Sequence, residues 1–183
     1  MRKYQIGVMG SAADLGYAEA IAKIAEQIGR DIALSGNICV YGAEKDSDSL
    51  STAAARGAKS AGGMTVGVTY GKTKNDIWDT EGSTDFVVAT GIERGGGREF
   101  VLVNSCDAVI AVSGGSGTLT ELAIAYQSDL PMIVITGTGG WADKLADTYI
   151  DGRNRRLTIG SKPENAVCIA IREIKNKYEQ EKQ

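Results

Sequence analysis

Apolar runs and apolar stripes alternate along the chain. Residues 5–9, 38–41, 64–69 and 108–112 are short stretches rich in Val and Ile that read as strands, and residues 86–89 and 132–136 add two more. They are continuously apolar rather than alternating with polar residues, which suits strands covered on both faces by helices in a parallel sheet. The intervening segments carry the helical period instead. Ala18, Ile21, Ala25, Ile28 and Ile32 draw one apolar stripe that stops at Ser35-Gly36. A second helix, over 49–60, is rich in alanine and ends at Gly62-Gly63, and further helices are expected over 98–105, 119–127, 141–149 and 163–178. This order predicts right-handed βαβ crossovers and an α/β fold: a single Rossmann-like open parallel sheet with helices on both faces. The expected organisation is one nucleotide-binding domain over 1–178 and a frayed polar tail over 179–183.

Open parallel sheets bind ligands at the carboxyl ends of their strands, beside the point where the strand order reverses. There the sequence is most informative. After the run 108–112 it reads Ser113-Gly114-Gly115-Ser116-Gly117-Thr118-Leu119-Thr120-Glu121 and a helix begins. Glycines let the backbone turn sharply and approach an oxygen-rich group, while the first N–H groups and the dipole of the following helix favour negative charge. Gly114, Gly115, Ser116, Gly117 and Thr118 are therefore the candidate phosphate site, with Thr118 expected to cap the helix and donate its hydroxyl. The turn lacks the lysine of a P-loop and the spacing of GxGxxG, so a monophosphate or small anion fits better than a Walker-type triphosphate or a dinucleotide. Gly10 and Ser11, ending the first strand, are candidates for other ligand contacts. Arg98 opposes the dipole at a helix start, which points to an anionic partner, and Arg94 with Gly95-Gly96-Gly97 leads into it. The polar loop 70–85 is a candidate lid or oligomer contact.

Composition narrows the chemistry. The chain has 183 residues, 43% of them hydrophobic, and a formal net charge of -3, so it can build a core and offers no basic field for a nucleic-acid partner. It contains no histidine, which excludes Ser-His-Asp and Cys-His catalysis and zinc chemistry. Cys39, Cys106 and Cys168 are odd in number and lie in apolar stretches, so they read as small buried residues in a reducing compartment. Glu44, Asp46 and Asp48 lack the spacing of oxygen ligands, and no metal site is expected. No apolar run is long enough to span a bilayer, and a cytoplasmic protein without a membrane partner is expected.

The run Gly97-Arg98, then Asp107, then Gly114-Gly115-Ser116-Gly117-Thr118 and Glu121 resembles the LOG family, long labelled lysine decarboxylases, in which an arginine-lysine pair precedes a PGGxGTxxE motif. The resemblance extends to Gly7-Val8-Met9-Gly10-Ser11 and Gly139-Gly140-Trp141 and is closest to the branch that includes a molybdenum cofactor carrier protein. It implies hydrolysis of the N-glycosidic bond of a nucleoside 5'-monophosphate, with Glu121 and Arg98 as the catalytic residues and no cofactor required, and a homodimer or higher homo-oligomer. The small-residue face Ala53-Ala54-Ala55-Gly57-Ala58 is a candidate contact for the second copy. Three positions depart from the family: Ser113 stands at the motif's proline, Glu99 at the lysine, and Tyr41-Gly42-Ala43-Glu44-Lys45-Asp46 where a GGGxxGLM segment is expected. These departures favour holding a nucleotide-like, phosphate-bearing small molecule over turning it over. A nucleoside monophosphate or a pterin-type ligand such as molybdenum cofactor would fit.

Overall fold

The apolar runs pair into one eight-stranded sheet in a computed structural model that describes residues 2–12, 15–93 and 97–180. In chain order the elements are β1 (Gln5–Gly10), α1 (Glu19–Leu34), β2 (Ile38–Ala43), α2 (Leu50–Ser60), β3 (Met64–Thr69), β4 (Phe86–Ala89), α3 (Arg98–Asn104) and β5 (Ala108–Val112). They continue as α4 (Ser116–Gln127), β6 (Met132–Ile135), α5 (Gly140–Leu145), β7 (Thr148–Tyr149), β8 (Leu157–Ser161) and α6 (Pro163–Gln180). The sheet order is β4-β3-β2-β1-β5-β6-β8-β7, parallel except where β7 runs antiparallel to β8. The chain builds outward from β1 to β4 and then returns to place β5 on the other side of β1. The carboxyl ends of β1 and β5 are therefore the switch point.

The pleat of β5 explains why its run is apolar throughout. Ala108, Ile110 and Val112 face a core shared with Ile28 and Ile32 of α1, Ala54 of α2 and Ala170 of α6. Val109 and Ala111 face a second core with Leu102 of α3, Leu122 of α4 and Ala142 of α5. Each fully buried large aliphatic side chain contributes roughly 1.5–3 kcal/mol, so the two central strands, and the loops they end in, are the best-fixed part of the molecule.

Helices α1 and α2 cross almost backbone on backbone. A Cβ on Gly29 would lie 1.8 Å from the Ala54 carbonyl oxygen, and one on Gly57 1.8 Å from that of Glu26. Ala53, Ala54, Ala55 and Ala58 are fully buried. The small-residue face read as a contact for a second copy is thus used within the chain, since two helices without side chains between them can approach this closely and exclude any other partner.

Three further expectations change. The helix expected over 141–149 ends at Leu145, because Asp147 takes a left-handed φ of 56° and turns the chain into β7. Strand β8 was not predicted, as Gly160 and flanking arginines dilute its apolar signal; the Asp147 carboxylate accepts the Gly160 N–H at 3.0 Å and holds the hairpin. Cys39 and Cys106 are buried as expected, but Cys168 is exposed on α6. No helix among the described residues is long and apolar enough to cross a membrane.

Candidate functional site

A cleft of about 460 Å³ opens at the switch point, lined by Gly10 and Ser11 at the end of β1, by Arg98 and Glu99 of α3, by residues 115–118, Thr120 and Glu121 at the start of α4, and by Glu44. Every sequence-predicted site residue except Gly114 lines it; Gly114 lies directly behind, its N–H donated to Ser11 Oγ at 3.0 Å. Arg94, Gly95 and Gly96 lie outside the described residues.

The glycine turn is held from two sides. Ser113 donates its N–H to Thr138 Oγ1 at 2.8 Å, and the backbone oxygens of Ser113 and Gly114 accept the N–H groups of Ala142 and Trp141 at 2.9 and 3.0 Å. A Cβ at Gly140 would strike the Gly114 carbonyl oxygen at 2.5 Å, so the Gly139-Gly140-Trp141 segment acts as a backbone clamp on the turn. Ser113 itself has φ 57°, a left-handed value closed to proline, which explains why serine stands at the motif's proline in this chain. Helix α4 begins at Ser116 with Gly115 as N-cap, earlier than expected, and Thr118 is its third residue rather than its cap. Among the described residues no acceptor meets the N–H groups of Gly115, Ser116, Gly117 and Thr118. These four donors stand at the start of a twelve-residue helix, and their residues line the cleft.

The other end of the cleft is dominated by charge. Arg98 is 4% exposed, not solvated, and its Nη1 and Nη2 donate to Val68 O and Glu44 Oε1, both at 3.3 Å. Its guanidinium lies 5.8 Å from the centre of the Tyr70 ring. Gly42 makes room for it, since a Cβ there would lie 2.3 Å from Nη1. Glu99, 8% exposed, places Oε1 3.8 Å from Arg98 Nε. Glu121, in the second turn of α4, is 7% exposed. Burial pushes its carboxyl up to about 8, Arg98 works against that rise, and Glu99 and Glu44 add to it. The Arg98 group therefore carries one more carboxylate than the sequence reading gave it, Glu44, whose place at the end of β2 was legible only as a departure from a glycine-rich segment. Leu15 and Phe100, 58% and 54% exposed, form an apolar rim that sequence reasoning also passed over.

Other charged residues find their partners elsewhere. Asp107 sits at the amino end of β5, where Arg2, Tyr178 and the Gln5 N–H bind it, and so lies at the opposite end of the strand from the cleft. Glu44, Asp46 and Asp48 diverge: Glu44 meets Arg98, Tyr70 donates to Asp46 at 3.5 Å, and Asp48 takes Arg56 at 2.9 Å. Loop 70–85 is stitched by Asp76, which accepts the N–H groups of Lys72 and Thr73, and by Asp79, which accepts from Ser83 and Thr84.

A doubly wound sheet with a glycine turn leading into a helix and an arginine-carboxylate group at its switch point defines a Rossmann-like class of α/β protein. Within that class the chain belongs to the SLOG cluster4 family, whose model matches residues 3–167. It is similar to the molybdenum cofactor binding protein of the phototrophic bacterium Rippkaea orientalis, at 31% identity and a TM-score of 0.78 over 95% of this chain and 98% of that one. The molybdenum cofactor carrier protein of Chlamydomonas reinhardtii matches at 28% identity and a TM-score of 0.75, over 94% and 98% of the two chains. An uncharacterized protein of Archaeoglobus fulgidus is 34% identical over 145 residues, 75% of this chain and 87% of that protein. The single-stranded DNA binding DNA processing protein A of Helicobacter pylori, at 12% identity and a TM-score of 0.65, shares the fold alone.

Proposed function

We propose that the protein binds a nucleotide-like, phosphate-bearing small molecule in this cleft and holds it without turnover, its phosphate on the free N–H groups of Gly115, Ser116, Gly117 and Thr118 and its ring toward Arg98. The row of four donors at the start of α4 that no acceptor among the described residues meets carries this reading. Gly117 supports it independently. A Cβ there would meet no atom of the described residues within 4 Å, so none of them asks for glycine at that helical position, whereas a ligand lying against the backbone would. A nucleoside monophosphate satisfies the arrangement, and so does a phosphate-bearing pterin such as the molybdenum cofactor that the similar proteins carry or bind. In either case the residues contribute fixed donors and a shaped cleft. Equilibrium dialysis against AMP, GMP and a molybdopterin-type ligand tests the proposal. Retention of at least one at micromolar concentration is expected, and retention of none would end it.

One observation favours a second reading, N-glycosidic hydrolysis of a nucleoside 5'-monophosphate. A buried Glu121 carboxyl with its pKa near 8 stays protonated at neutral pH and could protonate a departing base, while Arg98 orients phosphate or base. The same protonation argues against Glu121 as the anion that would steady an oxocarbenium-like sugar or activate water. Release of free base from a nucleoside monophosphate panel, abolished in Glu121→Ala, would establish the enzyme; no release at all leaves the binding function.

A further inference from the structure

Two large apolar side chains stand exposed on a cleft whose other lining residues are small, hydroxyl-bearing or charged. Phe100 of α3 is 54% exposed and Leu15 58%, and both line the cleft. Two glycines show where they lie. A Cβ on Gly97 would be 3.9 Å from Phe100 Cδ2, so the ring stands beside Gly97, which lines the cleft as well. A Cβ on Gly115 would be 2.6 Å from Leu15 Cδ1, so the leucine leans on the N-cap of α4. The fold does not account for Phe100. Its neighbours Val101, Leu102 and Val103 pack into the second core, whereas Phe100 belongs to no buried cluster among the described residues. An aromatic ring left in water forgoes the burial that stabilises such side chains elsewhere, and in a concave site it is a surface for a ligand to cover.

The cleft volume of about 460 Å³ suits a ligand of nucleotide size. In the proposed pose the phosphate rests on N–H groups at the start of α4, which leaves the flat ring to be held by other residues. Among the described residues Phe100 is the one aromatic side chain in the lining. Heterocycles the size of a base stack on such rings whatever hydrogen-bond pattern their edges carry. We infer that Phe100 is the platform for the ligand's ring: a purine or pteridine lies face-on against it, in the offset stack that aromatic rings favour, with Leu15 bounding the apolar rim on the α4 side. The residue selects ligands by the area of their ring rather than by the pattern of its edge, so phosphates without a flat ring bind weakly. This inference rests on the phosphate-ligand reading and adds where the ring is held.

Calorimetric titration of the full chain with inorganic phosphate, ribose 5-phosphate, AMP, GMP and a pterin monophosphate tests it. The ring-bearing probes are expected to bind at least about tenfold more tightly than ribose 5-phosphate, the effect typical of one stacked base. Phe100→Ala should bring that advantage below about threefold and leave the affinity for inorganic phosphate unchanged, while Phe100→Trp should keep it. The alanine variant should melt no lower than wild type, because the ring supports no core and alanine favours the helix. A ring advantage that survives in Phe100→Ala, or ring-bearing probes no tighter than ribose 5-phosphate, overturns the platform and leaves phosphate binding standing. Parallel loss of phosphate and ring affinity in Phe100→Ala also overturns it, since the side chain would then shape the cleft instead of meeting the ring. Absence of binding by every probe, phosphate included, overturns both readings.

Discussion

At the amino end of β5, Asp107 is surrounded by donors; in the cleft beyond the carboxyl end of the same strand, three carboxylates gather around one guanidinium among the described residues. The two oxygens of Asp107 accept from Arg2 Nη1 at 2.8 Å, Arg2 Nη2 at 2.5 Å, Tyr178 Oη at 2.6 Å and the Gln5 N–H at 2.8 Å. Burial alone would raise this carboxyl, but those bonds outweigh it and hold it below the ordinary carboxylate range. Around Arg98, by contrast, Glu44, Glu99 and Glu121 face one described guanidinium, one of whose nitrogens has no acceptor, and the Glu121 carboxyl is pushed up to about 8. A group that satisfies itself is a latch, here tying the first strand to the last helix. The group around Arg98 instead lines the cleft.

The largest effect expected at neutral pH from breaking this contrast lies in the turn that shapes the cleft. Ser113→Pro restores the family motif yet removes the N–H bonded to Thr138 and demands a negative φ where the chain has 57°. It should destabilise the fold by about 3 kcal/mol in urea unfolding, the sum of a lost buried bond and an incompatible backbone. An unchanged unfolding midpoint would mean the turn is not built this way. Next comes the latch. Asp107→Asn keeps the shape but loses charge-assisted bonds and should lower stability at neutral pH by about 2 kcal/mol. Because the folded-state pKa of Asp107 is depressed, its contribution is present above the ordinary value of 3.8 and lost as pH falls through the folded value. The difference between variant and wild type should therefore close in acid.

Glu121 should show the opposite sign. Its pKa is raised from 4.5 to about 8, so the folded chain binds a proton that the unfolded chain releases. The associated stability is complete below the ordinary value and disappears as pH rises toward 8. Glu121→Gln removes this titration, so it should match wild type in stability near about pH 5 and exceed it by roughly 4 kcal/mol near about pH 9, at ~1.4 kcal/mol for each pKa unit. A variant tracking wild type across that range would show that Glu121 is ionised in the fold, and the contrast with Asp107 would collapse.

Much of the fold was legible because β1, β2, β3, β5 and β6 are covered by helices or neighbouring strands and so carry unbroken apolar runs. The strands that the sequence hid are at the far edge, where β7 has two residues and β8 contains a glycine. The glycine turn was legible because a strand end, its glycines and the following helix start are neighbouring residues. Asp107 was not, because its partners Arg2 and Tyr178 lie 105 and 71 residues away and only the sheet brings them together. Glu44 was hidden for the same reason: its nearness to Arg98 follows from β2 and α3 meeting across the cleft, which no local spacing announces.

The smallest effect discriminates most cleanly between the two ends. Gly117 is in the first turn of α4 with open space where a Cβ would point, so Gly117→Ala puts a methyl into the cleft without a clash inside the protein. Alanine is the better helix residue by about 1 kcal/mol, and the variant should melt at or above the wild-type temperature. If the glycine serves the fold, that substitution lowers stability and ligand affinity together. If it lets a phosphate approach the free N–H groups, stability holds or rises while affinity for inorganic phosphate and for GMP falls by about tenfold or more in parallel titrations. The same pair of measurements on Asp107→Asn should give the mirror result, a less stable protein with unchanged affinity, because the latch touches nothing in the cleft.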